Sequence, residues 1–183
     1  MNYYGGKELA ESFRTVRKNT IQLAEDIPDD QYGFTPAEGT RSIGRSLAHI
    51  ALSPQLQHTI HAGERRSSFE GLDFQTLMKQ MADQEAAQRT KSQIIELLRT
   101  EGEVWASFLA GVSEDFLAES FAMPPGATPA SKSRFEMLLS VKEHEMHHRG
   151  QLMAAQRVLG IVPHLTRLRQ DSAAQQRSAS SGS

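Results

Sequence analysis

The sequence predicts an all-α protein, an up-and-down-type four-helix bundle with an additional short helix. Three observations predict it. Four long stretches repeat apolar residues at helical spacing, almost nothing alternates as a half-buried strand does, and Pro- and Gly-bearing segments separate the four stretches. The 183 residues suit one domain, large enough to bury a core without disulfides or a structural zinc.

The first stretch runs from about Lys7 to Asp26, with Leu9, Phe13, Val16, Thr20 and Leu23 on one face. Pro28 follows its end, where a proline cannot continue a helix. A Pro- and Gly-bearing connection leads to the second helix, which Ser42 caps and whose stripe is Ile43, Leu47, Ile50 and Ala51. Pro54 predicts a kink or local break. A short amphipathic piece follows, with Phe74, Leu77, Met78 and Met81. The third long helix starts near Thr90 and turns Ile94, Leu97, Leu98, Val104, Trp105 and Phe108 inward. Gly102 weakens it by up to about 1 kcal/mol relative to alanine, so packing must hold it. The loop from Met123 to Pro129 is a clear break, and the last helix runs from about Lys132 to Leu159, where Gly160 stops it. The bundle domain is therefore 1–170. The segment 171–183, rich in Ser, Ala and Gln without a large apolar residue, reads as a disordered tail.

The chain has no cysteine, which removes disulfides, thiolate nucleophiles and Cys-type zinc sites and fits a reducing, cytoplasmic setting. The first residues lack the basic flank and apolar run of a signal peptide, and no apolar run approaches the roughly 20 residues of a membrane helix. With a formal net charge of −2 and no concentrated basic face, nucleic acid is not an expected partner.

The informative segment is Lys142 to Leu152, Lys-Glu-His-Glu-Met-His-His-Arg-Gly-Gln-Leu. At about 100° per residue, His144 and His148 lie about 40° apart, one turn above the other. Met137, Val141, Leu152, Ala155 and Leu159 continue the stripe that carries them, so both imidazoles point into the bundle. A lone inward histidine is usually a satisfied core residue. Two at this spacing point to a metal, because burying both without a partner is costly. His147 lies about 100° further round and reads as a residue flanking the ligands. A third ligand has to come from another helix. His49 is the candidate, since it interrupts the apolar stripe Leu47-Ala48-His49-Ile50. His58 and His61 are expected in solvent, and His164 in a loop.

His144-Glu145-Met146-His147-His148 also reads as H-E-x-x-H, the zinc metalloprotease signature, with Glu145 as general base. The downstream third ligand is missing, since position 154 is Ala and no glutamate follows, and no upstream sheet is predicted to hold a peptide. A di-iron carboxylate site would need a second Glu-x-x-His pair, which the sequence lacks.

The segment His144 to Leu152 resembles the C-terminal motif of the DinB-like (damage-inducible) metal-binding four-helix bundles. Thr40 to Ala51, with the approach Ile27-Pro28-Asp29-Asp30 through Phe34-Thr35-Pro36, resembles that family's second-helix motif. The resemblance covers about Gly6 to Leu159 in the expected order. It implies a site of one histidine on the second helix and two, four apart, on the last: His49, His144 and His148. It also implies one divalent ion (nickel, zinc or ferrous iron), a homodimer, and kinship with bacterial thiol-dependent transferases and isomerases. Fold alone does not select the reaction.

Three imidazoles leave coordination positions open, as in catalytic rather than structural metal sites. The function expected is thus a metal-dependent transferase or hydrolase acting on a small molecule, with a low-molecular-weight thiol as possible cosubstrate. The alternative is a non-catalytic protein that binds metal or a ligand. Glu145 is the candidate base, and Arg149 and Gln151 are candidates to orient an acidic substrate or the ligands. For all three, the plain alternative is a solvated helix face and ordinary inter-helix hydrogen bonds.

Overall fold

The computed structural model describes residues 4–180, with side chains to residue 177. Four long helical segments form the bundle. Helix α1 spans Gly6–Asp26 and α2 Ile43–Leu52. Helix α3, Pro54–His58, prolongs α2 and passes into a π-type turn at Thr59–Gly63. The short α4 covers Phe74–Ala86, the long α5 Lys91–Gly111, and α6 Glu114–Ala118. Helix α7, Arg134–Val158, closes the bundle, and α8, His164–Ser180, follows it. Among the described residues, no helix is long and apolar enough to cross a membrane.

The starts of these helices follow the local chemistry. Ser42 caps α2 by accepting the Arg45 N–H. Thr90 with Gln93 and Ser133 with Glu136 form reciprocal capping boxes on α5 and α7. Pro54 does break the second helix: it occupies the first position of α3, where its missing N–H costs nothing. Gly160, with φ +75°, ends α7 in the left-handed region.

Helices α1 and α2 each pack against both α5 and α7, so α1 and α2 face each other across the bundle although they are consecutive in it. Leu23, Ile27, Ile43, Leu47, Ile50, Leu98 and Leu152 fill the end that α2 shares with α7. Leu9, Phe13, Trp105, Leu109, Leu138 and Val141 fill the other. A small third cluster, Ile60, Phe121 and Met137, sits under a two-stranded antiparallel hairpin. Its strands, β1 at Ser120–Ala122 and β2 at Ser131–Ser133, flank the Pro-rich loop read as a simple break.

Several expectations need correction. Val104 is 49% exposed rather than inward. His61 is fully buried, not solvated: it bonds Gln57 and Arg134 and lies against Phe121. His58 is half-buried, edge-on to Phe108. His164 is the first residue of α8 and is buried, its Nε2 3.2 Å from Asn19 Oδ1. The segment after Gln170 continues as helix to Ser180, because Ala, Gln and Arg are good helix formers even where packing is slight. Its side chains are almost all exposed as far as residue 177, and 181–183 lie outside the described residues.

Candidate metal centre

Helices α2 and α7 lie side by side, and their facing surfaces bring His49, His144 and His148 together. Nε2 of His144 is 3.2 Å from Nε2 of His49 and 3.1 Å from Nε2 of His148. One ring nitrogen from each of the three lies within 4.8 Å of the others, and ring centroids are 4.5–4.9 Å apart. Imidazoles bound to one ion at about 2.0–2.1 Å place neighbouring nitrogens about 2.9 Å apart at right angles and about 3.4 Å apart at tetrahedral angles. The two short separations fall between those values.

The outer nitrogens show which tautomers are present. Nδ1 of His49 lies 3.0 Å from the Glu85 carboxylate and Nδ1 of His148 lies 2.9 Å from Oε1 of Gln151. Both partners accept, so both Nδ1 atoms carry the proton and both Nε2 lone pairs face His144. Two lone pairs thus converge on the edge of the His144 ring, and a divalent ion placed there would take both together with the third imidazole nitrogen. The donor set therefore fits a divalent ion, in the carboxylate–histidine arrangement that orients metal ligands.

The titration behaviour agrees with a neutral, ligating state. Burial, reinforced by the neighbouring imidazoles, pushes His144 down to about 4. Burial likewise lowers His148, against its bond to Gln151. His49 is lowered by burial and by Arg41, although Glu85 opposes the shift. Burial alone would raise Glu85, but hydrogen bonding and charge from Arg41 and His49 outweigh it and hold the group ionised.

Glu85 is the residue that sequence reasoning missed. It lies near the end of α4, which packs on α2, and accepts from Arg41, Arg45 and His49. A signal existed: Glu85 follows Met81 by four residues, putting a carboxylate on the stripe of Phe74, Leu77, Met78 and Met81.

Glu145 makes the inter-helix hydrogen bonds of the plain alternative and does not stand free as a base. It is fully buried, and both oxygens are held by Arg17 at 2.9–3.1 Å, one of them also by Thr20 Oγ1 at 2.6 Å. Arg17 in turn donates to Leu98 O on α5 and Ile50 O on α2, so one side chain from α1 touches all three other bundle helices. Gly102 now has its reason. A Cβ there would come within 2.9 Å of the Arg17 side chain, so the weak helix position admits this network. With its base committed to an ion pair, the protease reading loses its central residue. Arg149 donates to Val16 O on α1 rather than reaching the ligands. His147 is exposed, 3.1 Å from Nε2 of the same Gln151 that holds His148.

A cleft of about 670 Å³ opens beside the histidines, bordered by His148 and Gln151 on α7 and by Arg41, Arg45 and Ser46 around the start of α2.

Comparison with known proteins then places the chain. The DinB family model matches residues 1–179. The chain belongs to the DinB family. A relative in this group, YjoA of Bacillus subtilis, is 25% identical over 153 residues, 84% of this chain and 90% of YjoA. The crystal structure of YjoA, called DinB-like, superposes with a TM-score of 0.61 at 24% identity, covering 84% of this chain and 92% of that one. YfiT from Bacillus subtilis, described as a probable metal-dependent hydrolase with an unusual four-helix bundle topology, gives a TM-score of 0.64 at 16% identity, covering 85% and 88%. At those identities the likeness is one of fold.

Proposed function

We propose that this DinB-family protein is a metal-dependent enzyme of small-molecule chemistry, a hydrolase or a transferase, with His49, His144 and His148 as its ligands. The observation that carries the reading is the convergence of three imidazoles whose outer nitrogens are fixed by Glu85 and Gln151. The description of YfiT as a probable metal-dependent hydrolase on the same fold supports it. Nickel or zinc fits this imidazole set better than manganese, following the usual affinity order. A bound divalent ion would supply Lewis-acid activation of a water or of a small thiol near neutral pH. The protein's own part is to keep both Nδ1 protons in place, to keep the imidazoles neutral, and to leave a cleft open on one side.

The alternative, a metal-binding module without catalysis, would be served by a site closed on every side. The 670 Å³ cleft bordered by His148 favours the enzyme. Purified protein should be reconstituted with nickel or zinc and screened against ester, amide and electrophile substrates, with and without a small thiol. Turnover that depends on metal and vanishes in His144→Ala supports the proposal. A metal-loaded protein that binds ligands in the cleft but turns none over favours the binding module.

A further inference from the structure

The cleft beside His148 has a distinct charge pattern. Arg41 and Arg45 both border it, and none of its lining residues is acidic. Glu85 is their shared counter-ion. It takes the Arg41 Nε–H at 2.5 Å and an Arg45 Nη2–H at 3.5 Å, and its remaining oxygen faces His49. One carboxylate therefore answers two guanidiniums while also holding a ligand histidine. With Arg41 committed through Nε, its two terminal amino groups remain available as donors. The contact of Arg45 is long, and its side chain is 54% exposed. Ile43, Leu152 and Ala155, core residues almost fully buried, close the cleft from beneath.

We propose that this cleft takes a small molecule through its anionic group, a carboxylate or a phosphate held by Arg41 and Arg45. The inference rests on the metal-dependent reading above and names the substrate class of that site. Guanidinium forks match the two oxygens of such anions, and hydrogen bonds between ionised partners are about twice as strong as neutral ones. Glu85 then links recognition to the metal centre, since the carboxylate that positions Arg41 also orients His49. An arriving anion meets one guanidinium charge that Glu85 leaves unneutralised.

The test uses zinc-reconstituted protein and two probes, phenyl phosphate and phenylacetate, with benzyl alcohol as a neutral match. Calorimetric titration should show one or both anions binding and benzyl alcohol binding far more weakly. The preferred anion identifies phosphate or carboxylate as the group recognised. Arg45→Gln should weaken that anion about tenfold or more while zinc content stays at the wild-type level. Raised salt should weaken it too. Equal binding of the neutral probe, or an Arg45→Gln protein with unchanged anion affinity, would overturn the inference and leave the metal site standing. Failure of the wild type to hold zinc would instead overturn the reading on which it rests.

Discussion

Replacing Glu145 by alanine removes the carboxylate from a pair whose side chains are only 5% and 1% exposed. Arg17 would keep its bonds to Leu98 O and Ile50 O but would lose the negative charge beside its guanidinium. Breaking one partner from a buried pair typically costs about 3–5 kcal/mol, because the other charge stays buried and uncompensated. At about 2–4 °C per kcal/mol for a domain of this size, the melting point should fall by about 10 °C. Removing both charges together, as Arg17→Met with Glu145→Leu, should return stability to within about 1 kcal/mol of the wild type, or above it. Thermal unfolding followed by circular dichroism, with metal content measured in parallel, reads both effects. The same variants separate a structural Glu145 from a catalytic one. If the doubly substituted protein melts normally and retains metal but has lost metal-dependent turnover, Glu145 acts in the chemistry. If Glu145→Ala melts within about 2 °C of the wild type, the assignment of this pair as the tie among four helices is wrong.

Three further outcomes follow from the same geometry. Glu85→Ala should weaken metal binding about 10- to 100-fold in a chelator competition, since His49 loses the partner that orients it, and an unchanged affinity would remove Glu85 from the site. In metal-free protein, His61 and His144 are held neutral with values pushed down to about 4 from 6.5. Between those values the unfolded chain binds more protons, so their stabilisation is complete above about pH 6.5 and is lost as pH falls toward about 4. Equal denaturant midpoints at pH 7 and pH 5 would contradict it. Truncation after Gln170 should lower the far-UV helical signal while shifting the melting point by about 1 °C at most, because the described side chains it removes, 171–177, are nearly all exposed; a loss of several degrees would show that α8 docks further along its length.

The four bundle helices were legible because each carries an apolar stripe at helical spacing, and their caps and stops are local chemistry: Ser42, Thr90, Pro54 and Gly160. His144 and His148 were legible from a spacing of four, and His49 from its place in an apolar run. Helix order around the bundle was not legible, since the apolar stripe of α1 does not say that it lies across from α2. Glu85 stayed hidden because its meaning depends on α4 packing over α2, a contact between segments joined by an irregular connection. Glu145 was misread for the opposite reason. A familiar five-residue pattern suggested a base, whereas its partner Arg17 lies 128 residues away, at a position the helical period alone marks only as a face of α1. His61 looked solvated because it follows a proline, yet the hairpin that buries it lies about sixty residues further along the chain.

The central claim is that three imidazoles from two distant segments share one ion, and His49 tests it most directly. It lies 95 residues before His144, so only the bundle joins them. Protein reconstituted with zinc or nickel, freed of excess metal and submitted to elemental analysis should hold about one equivalent per chain. His49→Ala and His144→Ala should hold almost none, while His147→Ala, whose ring lies in solvent, should stay near the wild type. A full equivalent of metal retained by His49→Ala, with wild-type sensitivity to chelator, would contradict the account.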